Sequence, residues 1–360
     1  MLPGATAGRA DLMTMHDDQI EIGAGTVREL VGQQFPAWAS LGVTRLESPG
    51  TVNAIFRLGD RLAARFPLRA DDPVAVRRQI EAEAEAAAEL AGRTRFATPE
   101  PVAIGEPGAG YPLPWSVQTW LPGVTAASED PGGSEDFARD LAEFIAGVRS
   151  IGTRGRTFSG SGRGGELASH DPWVQECLRR SDGLLDVPRL RRIWERLRDL
   201  PRAGGPDVMS HKDLIPGNVL VSGGRLAGVL DVGDLGPADR ALDLVGGWHL
   251  LEAGPRRLLR AALGASELEW QRGMAWAFEQ AIGLVWYYEH SNPVMSALGA
   301  RTLSRIPGGG SLGPRAAQPA SGCAHRVGKS LVNMHIQPAS ATQRPPQFAG
   351  EEFPNLVAGA

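Results

Sequence analysis

Three oxygen-bearing side chains define the chemistry open to this 360-residue chain: Asp213, Asn218 five residues on, and Asp231 eighteen residues on. They lie in His211-Lys212-Asp213-Leu214-Ile215-Pro216-Gly217-Asn218 and in Val229-Leu230-Asp231-Val232-Gly233-Asp234. Moving a phosphoryl group from a nucleotide to a hydroxyl calls for these residue types. The attacking hydroxyl must be aimed and relieved of its proton, which a carboxylate at Asp213 can do. The charge of a triphosphate must be offset by a cation, and magnesium prefers hard oxygens such as the Asn218 carbonyl and the Asp231 carboxylate. Residues 219–230 read as two short apolar strands around Ser222-Gly223-Gly224, a hairpin that would return Asp231 towards Asn218. Taken singly, these are ordinary loop residues. The pattern together with its hairpin carries the reading.

Positioning such a loop needs a frame, and the flanking text supplies one. Apolar residues at helical spacing mark 26–38, and three β-prone stretches follow at 42–46, 53–58 and 61–66, the last two joined by Gly59-Asp60. The Ala- and Glu-rich segment 73–91 predicts a long helix. Strands at 102–104 and 115–121 complete a small lobe over 15–121, which Pro122-Gly123 ends as a hinge. Beyond it, helices are expected at 134–151, 172–181, 188–200, 238–252, 266–290 and 293–306, a large lobe over 122–306. The fold class is thus α+β. Residues 1–14 read as a disordered extension, with Met15 as an alternative start, and the Gly- and Pro-rich 307–360 as a disordered tail.

His211-x-Asp213-x-x-x-x-Asn218, Leu230-Asp231-x-Gly233-Asp234-x-Gly236 and Asp239-x-Ala241-x-Asp243-Leu244 resemble the signature of the aminoglycoside phosphotransferase family, a branch of the protein-kinase-like two-lobed fold. The resemblance spans roughly 15–306. It implies that Asp213 is the catalytic base, that Asn218 and Asp231 hold Mg²⁺, and that ATP is the donor, with GTP as the alternative. His211 then shapes the loop, and Asp243 bonds the loop rather than the substrate. Lys212 stands where the family usually has Gly, Ile215 where it often has His, and Val232 where it often has Phe. The turn at Gly50, Thr51 and Asn53 resembles the family's phosphate-covering loop, and Arg65 occupies the place of the phosphate-binding Lys of kinases. Its expected helix partner is Glu83, with Glu81 and Glu85 close by. Thr119 and Leu121, before the hinge, are expected to meet the base of the nucleotide.

Composition narrows the partners. A net charge of −4 gives no reason to expect nucleic acid, and no apolar run is long enough for a bilayer, so a cytoplasmic monomer or homodimer acting on a small-molecule hydroxyl is expected. Cys177 and Cys323 cannot form a cysteine-rich metal site, and seven scattered His lack ligand spacing. Gly160-x-Gly162-x-x-Gly165 follows no apolar strand and reads as a flexible loop, while Gly328-Lys329-Ser330 lacks P-loop spacing. The aromatic run 286–288 reads as core. A polycationic acceptor would need carboxylates, for which Asp243, Glu252, Glu267, Glu269, Glu279 and Glu289 are the large-lobe candidates. A macrolide or another metabolite hydroxyl is the alternative acceptor. A protein kinase would need an Ala-Pro-Glu segment that is missing, and a non-catalytic nucleotide-binding protein would not need Asp213, Asn218 and Asp231 together.

Overall fold

The computed structural model describes residues 20–46, 53–69, 71–160, 162–202 and 204–307. Helix α1 (Ala24–Gln34) precedes strands β1 (Val43–Arg45), β2 (Asn53–Leu58) and β3 (Leu62–Pro67). Helix α2 (Pro73–Leu90) and strands β4 (Pro101–Gly105) and β5 (Trp115–Thr119) follow. The strands form one antiparallel sheet in the order β1-β2-β3-β5-β4. Alternation along β3 sends Ala64 and Phe66 into the small core and Arg65 to the opposite face. Phe66 stacks on Trp115 with centroids 4.7 Å apart. Gly105 is required beside them, because a Cβ there would stand 2.1 Å from the Trp115 indole.

Helix α2 begins at Asp72, whose carboxylate accepts from Val74 N, with Pro73 in the first turn, where no N–H is needed. Its first half places Val76 and Ile80 in the small core. Its second half places Ala87 and Leu90 in the large one. One helix therefore belongs to both cores, and Glu83 sits between its two halves.

The larger part runs through β6 (Val124–Thr125), α3 (Glu135–Ser150), α4 (Asp171–Arg180), α5 (Val187–Leu197), β7 (Val208–Ser210), β8 (Val219–Ser222), β9 (Arg225–Val229) and β10 (Gly236–Ala238). Helices α6 (Gly246–Leu250), α7 (Ala253–Leu263), α8 (Glu267–Tyr287) and α9 (Pro293–Arg305) complete it. Strands β6, β8 and β9 form one small sheet, and β7 pairs with β10 in another. Among the described residues no helix is long and apolar enough to cross a membrane.

Two expectations fail here. The helix expected over 238–252 is instead the end of β10, a 3₁₀ turn at Leu242–Val245 and the five-residue α6. Buried partners bend the chain: Asp239 is bonded to Arg272 and Asp243 to the loop after β7. Helix α7 stands where no element was expected; its Pro255 lies in the first turn, where the missing N–H is harmless. The tail beyond 307 and the extension before Met15 lie outside the described residues.

His249 on α6 joins α8 and α9: its ring nitrogens face Gln280 Oε1 at 2.7 Å and Thr302 Oγ1 at 3.0 Å. Burial holds its pKa down, at about 4. The folded state thus binds fewer protons than the unfolded chain, so this stabilisation is complete above pH ~6.5 and is lost as pH falls towards 4. Between pH 7.5 and 4.5 it should remove roughly 2–3 kcal/mol of unfolding free energy. Denaturant titrations at the two pH values should show that extra loss in the wild type and not in His249→Gln; equal losses would place the titration elsewhere.

Candidate active site

The loop after β7 turns because Lys212 adopts φ +72°, a left-handed conformation unfavourable for a side-chain-bearing residue. The turn points consecutive N–H groups inward, and the buried Asp243 carboxylate receives them. It accepts from His211 N and Lys212 N at 2.9 Å each, and from Ser210 Oγ at 2.7 Å. His211 bridges the loop to the returning chain: Nδ1 accepts from Asp213 N at 3.3 Å, and Nε2 donates to Leu230 O at 2.9 Å. Both ring nitrogens are thus engaged, which leaves His211 no free lone pair for proton transfer.

Strands β8 and β9 form the hairpin, closed by Gly223 and Gly224 with φ +57° and +71°, the two left-handed positions of a type I′ turn. Leu230 N donates to Asn218 O at 2.7 Å and brings Asp231 back beside the loop. Asn218 Nδ2 donates to Asp213 O at 3.0 Å and to its Oδ2 at 2.9 Å. Asp213 Oδ1 is therefore the oxygen that Asn218 leaves unbonded. Burial pushes the Asp213 carboxyl up to about 7, against the opposing charge of Arg163.

Asn218 is fully buried, and its Oδ1 has no hydrogen-bond partner among the described residues. An unpaired buried carbonyl oxygen is costly unless a ligand completes it. Among the described residues no group of three or more His, Cys, Asp or Glu is arranged to hold a metal. Two oxygen donors nevertheless suit magnesium, which commonly takes one or two protein ligands and fills its octahedron with water and phosphate.

On the nucleotide side Arg65 bridges two elements, with Nη1 3.4 Å from Glu83 Oε2 and Nη2 3.3 Å from Asp231 Oδ1. Of the three candidate carboxylates Glu83 is the one that reaches it; Glu81 pairs with Arg77 and Glu85 is exposed. Glu83 packs so closely on the metal motif that a Cβ at Gly233 would stand 2.7 Å from its Cγ. A cavity of about 210 Å³ adjoins Arg65, Glu83, Gln118 and Gly233. Asn53 opens β2, opposite Pro67, while Gly50 and Thr51 lie outside the described residues. Thr119 is tied to Glu100: its N–H donates to Glu100 O, and its Oγ1 accepts from Glu100 N, both at 2.9 Å. Leu121 lies beyond the strand, with its Cδ1 3.3 Å from where a Cβ at Gly228 would stand.

Sequence reasoning missed Arg163, and it named Glu279 only as one of six large-lobe carboxylates, with no tie to Asp213. The Gly160–Gly165 segment brings Arg163 Nη2 to 3.8 Å from Asp213 Oδ1 and Nη1 to 3.8 Å from Glu279 Oε2. Glycine spacing was the one signal, and it pointed to a loop without saying where the loop packs. The aromatic run divides: Trp286 packs towards Trp173, whereas Tyr288 joins Ile215, Met295 and Leu298 in a small cluster on the catalytic loop.

The left-handed turn is testable at Lys212. Lys212→Gly should be about 1 kcal/mol more stable than Lys212→Ala, because only alanine keeps the Cβ strain. Denaturation midpoints read this directly, and an alanine variant as stable as the glycine one would contradict the turn.

Residues 44–276 match the model of the phosphotransferase enzyme family. An aminoglycoside 3′-phosphotransferase of Salmonella typhimurium is 30% identical over 149 residues, covering 38% of this chain and 52% of that protein. The chain thus spans about half the length of the curated relatives it matches. The GDP complex of aminoglycoside 2′-phosphotransferase-IIIa superposes with a TM-score of 0.59 at 19% identity, over 79% of this chain and 98% of that one. A macrolide 2′-phosphotransferase from Brachybacterium faecium gives 0.53 at 19% identity, over 77% and 97%. These likenesses establish the α+β, kinase-like fold expected from the sequence. With the family model matched over well over half of its length, the chain belongs to the phosphotransferase enzyme family.

Proposed function

We propose that the protein transfers the γ-phosphoryl group of ATP to a hydroxyl of a small molecule. Residues 15–121 hold the nucleotide and 122–306 the acceptor. The observation that carries this reading is the pairing of Asp213 with Asn218: one carboxylate oxygen is fixed by the amide and the other is left over, while the amide's own oxygen has no partner. Asp213 Oδ1 orients the acceptor hydroxyl and takes its proton as the new bond to phosphorus forms. Asn218 and Asp231 would hold Mg²⁺, which when bound offsets phosphate charge. Arg65, kept in place by Glu83, supports the phosphates from the small lobe. GTP is the alternative donor, a choice motivated by the GDP complex of the structural neighbour. A supply of nucleotide places the reaction in the cytoplasm.

The relatives are named for antibiotics, and the acceptor proposed here is of that kind. Between its two classes the large-lobe carboxylates decide. Asp243 is spent on the catalytic loop, and Glu252 pairs with Arg305. Glu267 lies 2.7 Å from Arg260, Glu269 3.0 Å from Arg149 and Glu279 3.1 Å from His170. Glu289 stands 3.8 Å from His290. Except at Glu289, whose neighbour His290 is charged only when protonated, a polycation would have to displace these partners, whereas an acceptor carrying little charge would not. The prior pairing of these carboxylates favours the macrolide class over the aminoglycosides.

Nucleotide consumption with magnesium across macrolides, aminoglycosides and simple alcohols tests the proposal. Asp213→Ala should lower kcat by roughly 10²–10⁴-fold, the usual contribution of a general base. Arg65→Ala should weaken nucleotide binding while the fold survives. Turnover that survives Asp213→Ala would remove the mechanism; no turnover with any acceptor would favour a non-catalytic nucleotide-binding protein.

A further inference from the structure

We propose that Arg163 is a second catalytic residue, a guanidinium that lies against the acceptor oxygen and offsets the charge of the phosphoryl group during transfer. The inference rests on the phosphotransferase reading above and adds a residue outside its signature motifs.

Its carrier is built, not slack. The segment between α3 and α4 needs glycine at 160, 162 and 164, where φ is +84°, +69° and +115°. A Cβ at Gly164 would stand 2.7 Å from Ala238 Cβ, and one at Gly165 2.5 Å from the Phe158 ring. Buried groups hold the backbone on both sides of Arg163. Asp239 N donates to Gly164 O at 2.8 Å, Arg272 Nη2 donates to Gly165 O at 2.8 Å, and His170 Nε2 lies 3.2 Å from Gly162 O. Arg272 is fully buried and donates through Nε to Asp239 Oδ2 at 2.6 Å and through Nη1 to Leu200 O at 2.5 Å. The sequence expectation of a flexible loop is corrected by this packing.

The side chain held there is mostly buried, 17% exposed, and points at the base. At 3.8 Å from Asp213 Oδ1 and from Glu279 Oε2 it is close enough for charge attraction and too far for a hydrogen bond. Glu279 keeps it there: the carboxylate is 6% exposed, is held by His170 through Oε1, and has no hydrogen-bond partner at Oε2 among the described residues. Arg163 therefore has N–H donors that neither carboxylate uses.

The reaction places new charge at that spot. Asp213 Oδ2 is taken by Asn218, so the acceptor hydroxyl must bond to Oδ1, at about 2.7 Å. Its proton passes to Asp213 and its oxygen bonds to the γ-phosphorus. The bond from that phosphorus to the β–γ bridging oxygen breaks, and the electron pair leaves with the nucleoside diphosphate. Negative charge on the three equatorial oxygens would then face Asp213, Asp231 and Asp234. Arg65 is committed to Glu83 and Asp231 on the other side. The Lys212 ammonium lies beneath Gly236, 3.0 Å from where its Cβ would be. Arg163 is the cation beside Oδ1, and its fork can bridge two phosphoryl oxygens.

The test compares the affinity of the full-length protein for Mg·ADP with and without aluminium fluoride, a mimic of the phosphoryl group in flight. The wild type should bind the ADP–aluminium fluoride pair more tightly than ADP. Arg163→Ala should weaken the pair by roughly 10²–10³-fold while ADP affinity stays within about twofold, and Arg163→Lys should recover part of the loss. Thermal unfolding checks the fold, with Arg163→Gln read instead where the alanine variant does not fold. No loss in the variants, or an equal loss for ADP alone, overturns the role of Arg163 and leaves the enzyme reading standing. A wild type that gains nothing from aluminium fluoride overturns the enzyme reading and this role with it.

Discussion

The buried carboxylate of Asp243 is the interaction on which the site depends. A loop that carries Asp213 and turns through a left-handed residue leaves successive backbone N–H groups facing the interior. Unpaired, each would cost about 1–3 kcal/mol. Asp243 receives both of them and the Ser210 hydroxyl. Charge-assisted bonds of this kind offset the desolvation of the acid, and they fix the loop in one conformation. His211 then fastens the loop to Leu230, so that the hydrogen bonds ordering Asp213 also set the position of Asp231 two strands later.

A second constraint comes from the helix shared between cores. Because α2 contributes Ile80 to one and Leu90 to the other, Glu83 cannot shift without disturbing packing on both sides. Close contact with Gly233 joins that helix to the metal motif directly. The site lies where the two cores meet, which is why the residues around it come from α2, β3, the catalytic hairpin and α8.

What could be read in the sequence were the features governed by local rules. The β8–β9 hairpin has a Gly-Gly turn that tolerates two positive φ angles, and α2 has an N-cap, an early proline and an Ala-rich body. The split of 238–252 was hidden because helical spacing does not show that Asp239 is buried on Arg272, and the loop contact expected of Asp243 did not reveal how His211 and Lys212 bend the backbone around it. Those partners lie about thirty residues away, beyond any periodic signal. Arg163 was hidden for a similar reason. Its loop is specified by glycines that permit a path, while Asp239, Arg272 and His170 determine where the path lies. The glycine customary at position 212 also gains a physical reason, since the backbone there is left-handed and Lys212 fills it with a side chain.

The use of arginine at both ends of the site follows from geometry. Arg65 must reach a helix carboxylate and the Asp231 carboxylate at once, at 3.4 and 3.3 Å from two different nitrogens. A single ammonium would have to satisfy both from one atom, whereas a guanidinium spreads its donors over a planar fork. Arg163 likewise spans Asp213 and Glu279 from two nitrogens at equal distance. In each case one carboxylate orients the fork and the other belongs to the reacting centre. Glu83 and Glu279 thus each orient an arginine against Asp231 or Asp213, and in the proposed reaction both cations are positioned before any substrate arrives. Preorganised charge of this kind requires little reorganisation during the reaction, and that is where its advantage over mobile, solvated cations lies.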